Sequence, residues 1–239
     1  MVFLTAEWRD LVMLNYVVEP KTLEGLVPAG TELDFHEGRT FVSIVGFHFL
    51  DTRIFGLRFP RHTDFEEINL RFYVRRREGE LWRRGVVFVR ELVPRRVIAF
   101  LARMVYGEPY IALPMNHLVE KTGMKLRARY NWKYAGRWNS LEAVVSGEAA
   151  VVEPGSEEEF ITEHYWGYTA ARKSVMEYQV EHPRWRVWRA ESAALDCQVA
   201  ELYGERFVDS VSVRPSSAFI ADGSNVAVHY RRKLPLPFA

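Results

Sequence analysis

The sequence contains little lysine, one cysteine and no long apolar segment. Only six of its 32 basic residues are lysines, so a reaction that requires a lysine amine has few candidates. Cys197 is alone, which excludes an internal disulfide and predicts a reducing, cytoplasmic location. We expect Cys197 to be a buried small residue, because no base accompanies it in the sequence. No apolar run approaches the roughly 20 residues that span a bilayer, so no membrane partner is expected.

Charge and motifs exclude further classes of protein. The formal net charge of +1 gives no electrostatic basis for binding nucleic acid. The first residues lack the basic and apolar segments of a signal peptide, so none is expected. There is no phosphate-binding glycine loop, nucleophile elbow or dinucleotide fingerprint. The seven histidines lack the spacing of a zinc site, and the sequence therefore predicts no metal and no cofactor.

The length of 239 residues suits one large domain over 1–239, or two small ones without a visible linker, and the 48% apolar and 14% aromatic residues are enough for a substantial core. Segments with strand patterns outnumber helical ones and show no βαβ alternation. This predicts a mainly β (α+β) fold with an antiparallel sheet and a few short helices. Strands are predicted at 8–18, 39–49, 65–77, 81–92, 125–134, 138–152, 175–180, 184–189, 207–220 and 225–232, and helices at 19–27, 94–106 and 156–163. Residues 51–64 are interpreted as a long loop over a pocket, and 182–183 as the crest of a hairpin.

One helix is predicted to end abruptly. Gly107 supplies the positive φ that terminates a helix, and Pro109 prevents its continuation. The following residues, 110–115, are apolar apart from the hydroxyl of Tyr110. A helix that ends before a buried turn is a frequent position for a functional side chain.

The strand at 65–77 has one polar face. Alternation places Glu67, Asn69, Arg71 and Tyr73 on the same side. This pattern has two interpretations, which the sequence leaves open. The strand is either a solvated edge with a charge pair or the interior, ligand-binding face of a small closed sheet.

Basic and aromatic residues alternate in the strand at 125–134. Arg127, Arg129 and Lys133 lie beside Tyr130 and Trp132, a pattern found in nucleic-acid-binding strands. In a protein without excess positive charge, a half-exposed strand is the favoured interpretation.

Several stretches together resemble the acetoacetate decarboxylase-like superfamily, and within it the YqjF-like family, the domain of unknown function 2071 (DUF2071). They lie at 16–34, 65–74, 102–115, 160–168 and 180–185. The resemblance implies an antiparallel sheet closed into a cone or barrel. It also suggests, by analogy with the relatives, that copies of the chain assemble into a homo-oligomer.

The lysines of the decarboxylases are not matched. In those enzymes Gly-Arg-Glu precedes Pro-Lys-Lys, and the first lysine forms a Schiff base with a keto acid. The corresponding residues here are 102–104, Ala-Arg-Met, and 109–111, Pro-Tyr-Ile. Neither Tyr110 nor Ile111 forms an imine, so decarboxylase activity is not expected, and whether any reaction is catalysed stays open. Lys121 and Lys125 are the nearest lysines, and their polar surroundings predict a solvated surface.

The resemblance also implies a retained pocket. The pocket glutamate of the relatives corresponds to Glu67, or to Glu66 if the register shifts by one, and their pocket arginine corresponds to Arg9. Guanidinium groups favour a carboxylate ligand, and Glu67 and Tyr110 are candidates for acid–base chemistry. The predicted ligand-binding residues are Arg9, Glu67, Asn69, Arg71, Arg103 and Tyr110.

An alternative gives the same residues a purely structural role. Glu67, Arg71 and Arg103 would form buried ion pairs that hold the helix to the sheet. The protein would then be a non-catalytic module that acts through assembly with other copies.

Overall fold

The computed structural model describes residues 1–171 and 174–235, which form mainly β-strands with a few short helices. The strands are β1 (Val2–Val18), β2 (Glu32–Leu33), β3 (Thr40–Ile54), β4 (Leu57–Arg58), β5 (Phe65–Glu78), β6 (Leu81–Val93), β7 (Tyr110–Ala112), β8 (Met115–Thr122), β9 (Lys125–Tyr134), β10 (Arg137–Ser146), β11 (Ala150–Val151), β12 (Trp166–Ala171), β13 (Ser174–Glu181), β14 (Arg186–Arg189), β15 (Ser192–Asp196), β16 (Ser217–His229) and β17 (Arg232–Pro235). The helices are α1 (Pro20–Leu23), α2 (Arg96–Tyr106), α3 (Glu157–Thr162), α4 (Val199–Tyr203) and α5 (Val208–Val211), with a 3₁₀ turn at Glu205–Phe207. None of the described helices is long and apolar enough to cross a membrane.

The larger sheet returns on itself. Its strands follow the order β16, β1, β3, β5, β6, β12 and β13, and β13 also pairs with β16. The pairs within this ring are antiparallel except β6 with β12. The predicted class, a mainly antiparallel sheet that closes with few helices, is therefore confirmed.

A second sheet, in the order β15, β10, β9 and β8, packs on the outer face of the ring. Alternate residues of β9, such as Tyr130 and Trp132, are fully buried between the two sheets. The intervening residues remain partly exposed, and Arg127 Nη2 donates to Glu142 Oε2 of β10 at 2.9 Å. The basic residue Arg127 is thus paired with an acid of the neighbouring strand.

The two faces of β5 enter different cores. Ile68, Leu70 and Phe72 face the second sheet, whereas Glu67 and Tyr73 face the interior of the ring. β5 lies between β3 and β6, so it is not an edge strand. The interpretation of a solvated edge is therefore wrong, and the polar face is an interior face.

Helix α2 ends where the sequence predicts. Gly107 has φ 75°, and its N–H donates to Arg103 O, which satisfies one of the last carbonyls of the helix. Pro109 then leads into β7, which pairs in parallel with β6. The end of the helix thus brings Tyr110 against the ring.

Other predicted elements differ from the structure. Residues 51–54 and 57–58 of the expected loop at 51–64 belong to β3 and β4, whereas Phe59 and His62 of that segment line the interior cavity. The expected strand at 207–220 contains α5. The hairpin at 182–183 does not form, because β13 and β14 each pair with a separate part of β16. At β3, β4, β13 and β14 a strand partner determines the structure more strongly than the local pattern.

Candidate functional site

A cavity of about 300 Å³ lies inside the ring, a size that suits a small organic ligand. Its walls are mainly apolar, and the inner face of α2 covers it. The ring and its connections contribute Trp8, Leu11, Val45, Phe47, Phe49, Phe65, Val86, Phe88, Trp166 and Trp185, and α2 contributes Val97, Ile98, Leu101 and Ala102.

The polar face of β5 crosses this cavity, and Glu67 is its most connected residue. Glu67 is 3% exposed. Tyr110 Oη donates to Glu67 Oε2 at 2.9 Å, and Asn69 Nδ2 donates to Glu67 Oε1 at 3.0 Å. Glu66, the alternative position, faces away from the cavity and lies 2.7 Å from His117 Nδ1. The interior glutamate is therefore Glu67.

Burial raises the pKa of Glu67 to about 7, against the opposing effects of the Asn69 and Tyr110 hydrogen bonds and the Arg71 charge. Burial and the neighbouring carboxyl groups raise the pKa of the Tyr110 phenol well above its ordinary value. Tyr110 therefore remains a proton donor near neutral pH, whereas Glu67 exchanges between its neutral and charged forms. A group with this pKa can accept or release a proton at physiological pH.

Arg71 brings a positive charge to the cavity. Its Nη2 donates to Ile161 O at 3.2 Å, and its guanidinium lies 5.6 Å from the ring centre of Tyr73. Its Nε is buried without a hydrogen-bond partner. Within the described residues Arg71 forms no ion pair with Glu67, and Arg103 is exposed, so the ion-pair cluster of the structural alternative is not formed.

Two predicted arginines lie outside the cavity. Arg9 pairs with Glu7, and its side chain is 40% exposed. Arg103 lies on the exposed face of α2, where its Nε donates to Ala99 O at 3.2 Å. Because Ala102 faces the cavity, the next residue of the helix is turned about 100° away from it. The structure therefore brings together Glu67, Asn69, Arg71 and Tyr110, but not Arg9 or Arg103.

Two acids of the cavity, Glu91 and Glu108, were not predicted from the sequence. Each is 2% exposed. Glu91 lies on β6 opposite Asn69 and next to Tyr110 of β7. Glu108 follows the end of α2, and its Oε1 accepts hydrogen bonds from Thr169 Oγ1 and, at 3.0 Å, from Tyr178 Oη.

A β-bulge explains why Glu91 escaped the sequence pattern. Val86 and Phe88 both line the cavity, so simple alternation would place Arg90 there and Glu91 outside. The register of β5 with β6 shifts at this point, since Leu70 pairs with Arg90 and Arg71 with Phe88. The extra residue reverses the alternation and turns Glu91 inward. Glu108 lies in a connection, where no alternation applies.

Both acids favour their protonated forms. Burial raises the pKa of Glu108 to about 8, with a further increase from Glu67, against the hydrogen bonds from Thr169 and Tyr178. Burial and the charges of Glu108 and Glu67 raise the pKa of Glu91 well above its ordinary value. The cavity therefore contains neutral carboxyl groups near pH 7 and carries much less negative charge than its composition suggests.

His164, at the end of the cavity near Arg71, is held neutral. Its Nε2 lies 3.0 Å from Asp34 Oδ2, and Asp34 also accepts a hydrogen bond from Arg84. Burial lowers the pKa of His164 to about 4, although Asp34 opposes this effect. The ring is therefore uncharged above about pH 5.

Unsatisfied polar atoms are concentrated in this cavity. Buried polar groups in proteins are normally hydrogen-bonded, so atoms without a partner mark places where a ligand or water binds. Seven lining residues each have a buried side-chain atom with no partner in the described structure: Trp8, Thr52, Asn69, Arg71, Glu91, Glu108 and His164.

The fold is similar to that of acetoacetate decarboxylase-like proteins of known structure. The acetoacetate decarboxylase of Legionella pneumophila superposes with a TM-score of 0.64 at 14% identity, over 97% of this chain and 87% of that one. The enduracididine biosynthesis enzyme MppR, complexed with pyruvate, gives a TM-score of 0.68 at 14% identity, over 98% and 91%. An acetoacetate decarboxylase-like enzyme from Sphingomonas wittichii RW1 gives 0.65 at 14% identity, over 99% and 95%.

The sequence defines the family more narrowly. The profile of DUF2071, described as an uncharacterized conserved protein, matches residues 5–225. The chain therefore belongs to the DUF2071 family. The uncharacterized protein YqjF of Bacillus subtilis (strain 168) is 26% identical over 201 residues, which cover 82% of this chain and 80% of YqjF.

Proposed function

We propose that the cavity binds a small organic molecule with a carboxylate or similar anionic group, and that binding involves no imine with a lysine. The unpartnered Nε of Arg71 carries this proposal, because it is a buried guanidinium donor among apolar walls. A guanidinium pairs with a carboxylate through two parallel hydrogen bonds.

The acids of the cavity are compatible with an anionic ligand when they are protonated. A neutral carboxyl group donates a hydrogen bond to an anion, whereas a charged one repels it. Because the pKa of Glu67 is about 7, the neutral form is available at physiological pH. Binding of an anion should therefore strengthen as the pH falls from 8 to 6.

The lysines in the part of the chain that the structure describes are consistent with binding that involves no imine. Tyr110 and Ile111 occupy the positions that the resemblance assigns to lysines. Among the residues described as lining the cavity none is a lysine. The lysines at 21, 121, 125, 133 and 233 are all exposed. A neutral amine, which an imine requires, forms most readily in a buried site.

The solved relatives support the ligand class by analogy. The solved structure of MppR is a complex with pyruvate, a small molecule that carries a carboxylate. At 14% identity the likeness shows the fold, and the ligand of MppR belongs to MppR. The proposal that this chain binds a ligand of the same class rests on Arg71.

Calorimetric titration with 3-phenylpropanoate and its neutral isostere 3-phenylpropanamide tests the anionic ligand. The carboxylate should bind at least tenfold more tightly than the amide. The substitution Arg71→Met should weaken binding of the carboxylate by roughly 10- to 100-fold, since a hydrogen bond to a charged group contributes about 1.5–3 kcal/mol.

Arg103→Met is the matched control, because it removes the same group from the exposed face of α2 and should leave the affinity unchanged. Equal binding of the carboxylate and the amide, or unchanged affinity in a folded Arg71→Met protein, would refute the proposal. Borohydride reduction in the presence of pyruvate should yield no covalent adduct by mass spectrometry, and an adduct on any lysine would refute the absence of an imine.

A second candidate function is proton transfer by Glu67 and Tyr110. The 2.9 Å hydrogen bond between them and the Glu67 pKa of about 7 favour it. Glu67 would remove a proton from a carbon next to a carbonyl group. Once Glu67 is protonated, the Tyr110 hydroxyl would turn from it and donate its hydrogen to the oxyanion. Exchange of the methyl protons of pyruvate in D₂O, followed by NMR, should then be faster with the protein and lost in Glu67→Gln. No acceleration would eliminate this candidate.

A further inference from the structure

We propose that Glu91 and Glu108 form a second subsite in the cavity, which binds a nitrogen cation such as a primary ammonium group. The inference deepens the proposed function, because the subsite lies in the same cavity. It differs in the charge that it recognises.

Each of the two acids presents an unsatisfied oxygen. Glu91 Oε2 and Glu108 Oε2 are both buried and have no hydrogen-bond partner in the described residues. Both residues line the cavity and are 2% exposed. The Glu91 N–H donates to Pro109 O at 3.3 Å, so Glu91 lies beside the segment that contains Glu108. A ligand with several donors at this end of the cavity would satisfy both oxygens.

The neighbouring hydroxyl groups do not provide that donor. Tyr178 Oη and Thr169 Oγ1 donate to the other oxygen of Glu108, and Tyr110 Oη, which also lies within reach of Glu91, donates to Glu67 at 2.9 Å. A hydroxyl has one hydrogen to donate, so each of these three is already used. The missing hydrogen bonds are therefore available to a ligand with several N–H groups.

A cation fits better than a neutral donor. In the described residues neither Glu91 nor Glu108 forms an ion pair, so each lacks the counter-charge that would let it ionise, and a bound cation would supply it. Aromatic rings complete the surroundings: Tyr106 and Tyr178 pack with ring centres 4.6 Å apart next to Glu108. The faces of such rings attract organic cations.

A metal ion is less suited to this position. A divalent cation such as Ca²⁺ requires six to eight oxygen ligands. In the described residues no group of three or more potential ligands has the geometry to hold a metal. An ammonium group needs only a few acceptors and tolerates the apolar remainder of the cavity.

The new subsite lies beside the one assigned to the anion. Glu91 is opposite Asn69, which is two residues from Arg71 along β5, or roughly 7 Å. A ligand with an ammonium group and a carboxylate a few bonds apart would reach both. Where both proposals hold, the ligand class is an amino acid with an apolar side chain.

The affinities of the two subsites should depend on pH in opposite directions. A cation favours the charged carboxylates, so its binding releases protons and strengthens as the pH rises from 6 to 8. An alkylammonium group stays protonated over this range, since its pKa is about 10. Burial raises the pKa values of both acids, which keeps them protonated in the free protein. The titratable groups that face the pair are Glu67, Tyr106, Tyr110 and Tyr178.

The test uses 3-phenylpropylamine and its neutral isostere 3-phenylpropan-1-ol with the full chain. Calorimetry in two buffers of different ionisation enthalpy measures the protons released on binding. The amine should bind at least tenfold more tightly than the alcohol and release protons at pH 7. Equal affinities, or uptake of protons, would overturn the inference.

Substitutions test whether Glu91 and Glu108 bind the amine. Glu91→Gln and Glu108→Gln should each weaken binding of the amine at least tenfold and change the affinity for 3-phenylpropanoate by less than threefold. Glu148→Gln is the control, because Glu148 is exposed. Unchanged amine affinity in both folded variants would also overturn the inference. If the variants do not fold, the number of protons that the unmodified protein releases on binding the amine still tests the inference.

The two proposals fail separately. Binding of 3-phenylpropanoate without the amine would refute the cation subsite and leave the anion site intact. Binding of the amine without the carboxylate would do the reverse. Binding of neither would refute both.

Discussion

Replacing Tyr110 by Phe isolates the hydrogen bond that connects β7 to the polar face of β5. The phenol donates to Glu67 Oε2 at 2.9 Å and stabilises the charged form of that carboxyl group. Loss of the hydroxyl leaves Asn69 as the remaining donor, at 3.0 Å. The change removes one oxygen atom and keeps the ring, so the packing of the cavity is preserved.

The expected magnitude follows from the charge of the acceptor. A hydrogen bond to a charged group contributes about 1.5–3 kcal/mol, and 1.36 kcal/mol corresponds to a tenfold change in a protonation constant. Since the phenol also interacts with the neutral form, we expect the lower end of this range. The pKa of Glu67 should rise from about 7 to roughly 8.

Carbon-13 NMR of protein labelled at the glutamate carboxyl carbon measures this change, with Glu67→Gln assigning the signal. Tyr106→Phe is the matched control, because Tyr106 lines the same cavity but its hydroxyl donates to the backbone oxygen of His229. That variant should leave the Glu67 titration in place. A Glu67 pKa that is unchanged or lower in Tyr110→Phe would refute the reasoning.

Three further predictions concern stability. The pKa of Glu108 is about 8 in the folded protein, above its ordinary value of 4.5, so its contribution to stability is present at low pH and is lost as the pH rises through 8. In urea unfolding, Glu108→Gln should therefore reduce the loss of stability between pH 6 and 8 by about 2 kcal/mol. An unaltered pH dependence would contradict the assignment. Gly107→Ala should lower stability by about 1 kcal/mol in the same assay, because Gly107 has a φ of 75°, which strains a residue with a side chain. A clash is not the reason, since the atom nearest to an added Cβ, Thr169 Cγ2, is 3.9 Å away. Unchanged stability would contradict the strain. Ser156→Ala should cost about 1 kcal/mol, since Ser156 Oγ accepts from the N–H of Glu159 at the start of α3, and Ser156→Asp should restore stability if capping is the reason.

Local patterns predicted the parts of the fold that depend on neighbours in sequence. The alternation in β9 gave its observed bounds, Lys125–Tyr134, and the polar alternation in β5 identified an interior face. The end of α2 was predictable because it requires a positive φ, which glycine adopts readily wherever it stands. These features need no knowledge of distant partners.

Other features depend on partners that a local pattern does not specify. β13 and β14 look like a hairpin in sequence, but each finds its partner in β16. Arg9 and Arg103 were expected in the pocket only because they match positions of the related decarboxylases. The geometry of β1 and α2 turns both side chains to the outside. Glu91 was missed because the bulge against β5 reverses its side.

The resemblance to the decarboxylases assigns a lysine to position 110, and our proposal that Tyr110 replaces it has a consequence for the acids of the cavity. An ammonium group at that position would lie within reach of Glu67 and would compensate its charge, as well as that of Glu91 next to it. The phenol donates a hydrogen bond but brings no charge, so burial dominates and the acids favour protonation. Under our proposals, the absence of a Schiff-base lysine and the accumulation of protons on buried carboxyl groups follow from the same residue. Arg71 would then bind an anion best while the carboxyl groups are neutral, Glu91 and Glu108 would bind a cation best when they are charged, and the pH would shift the balance between the two.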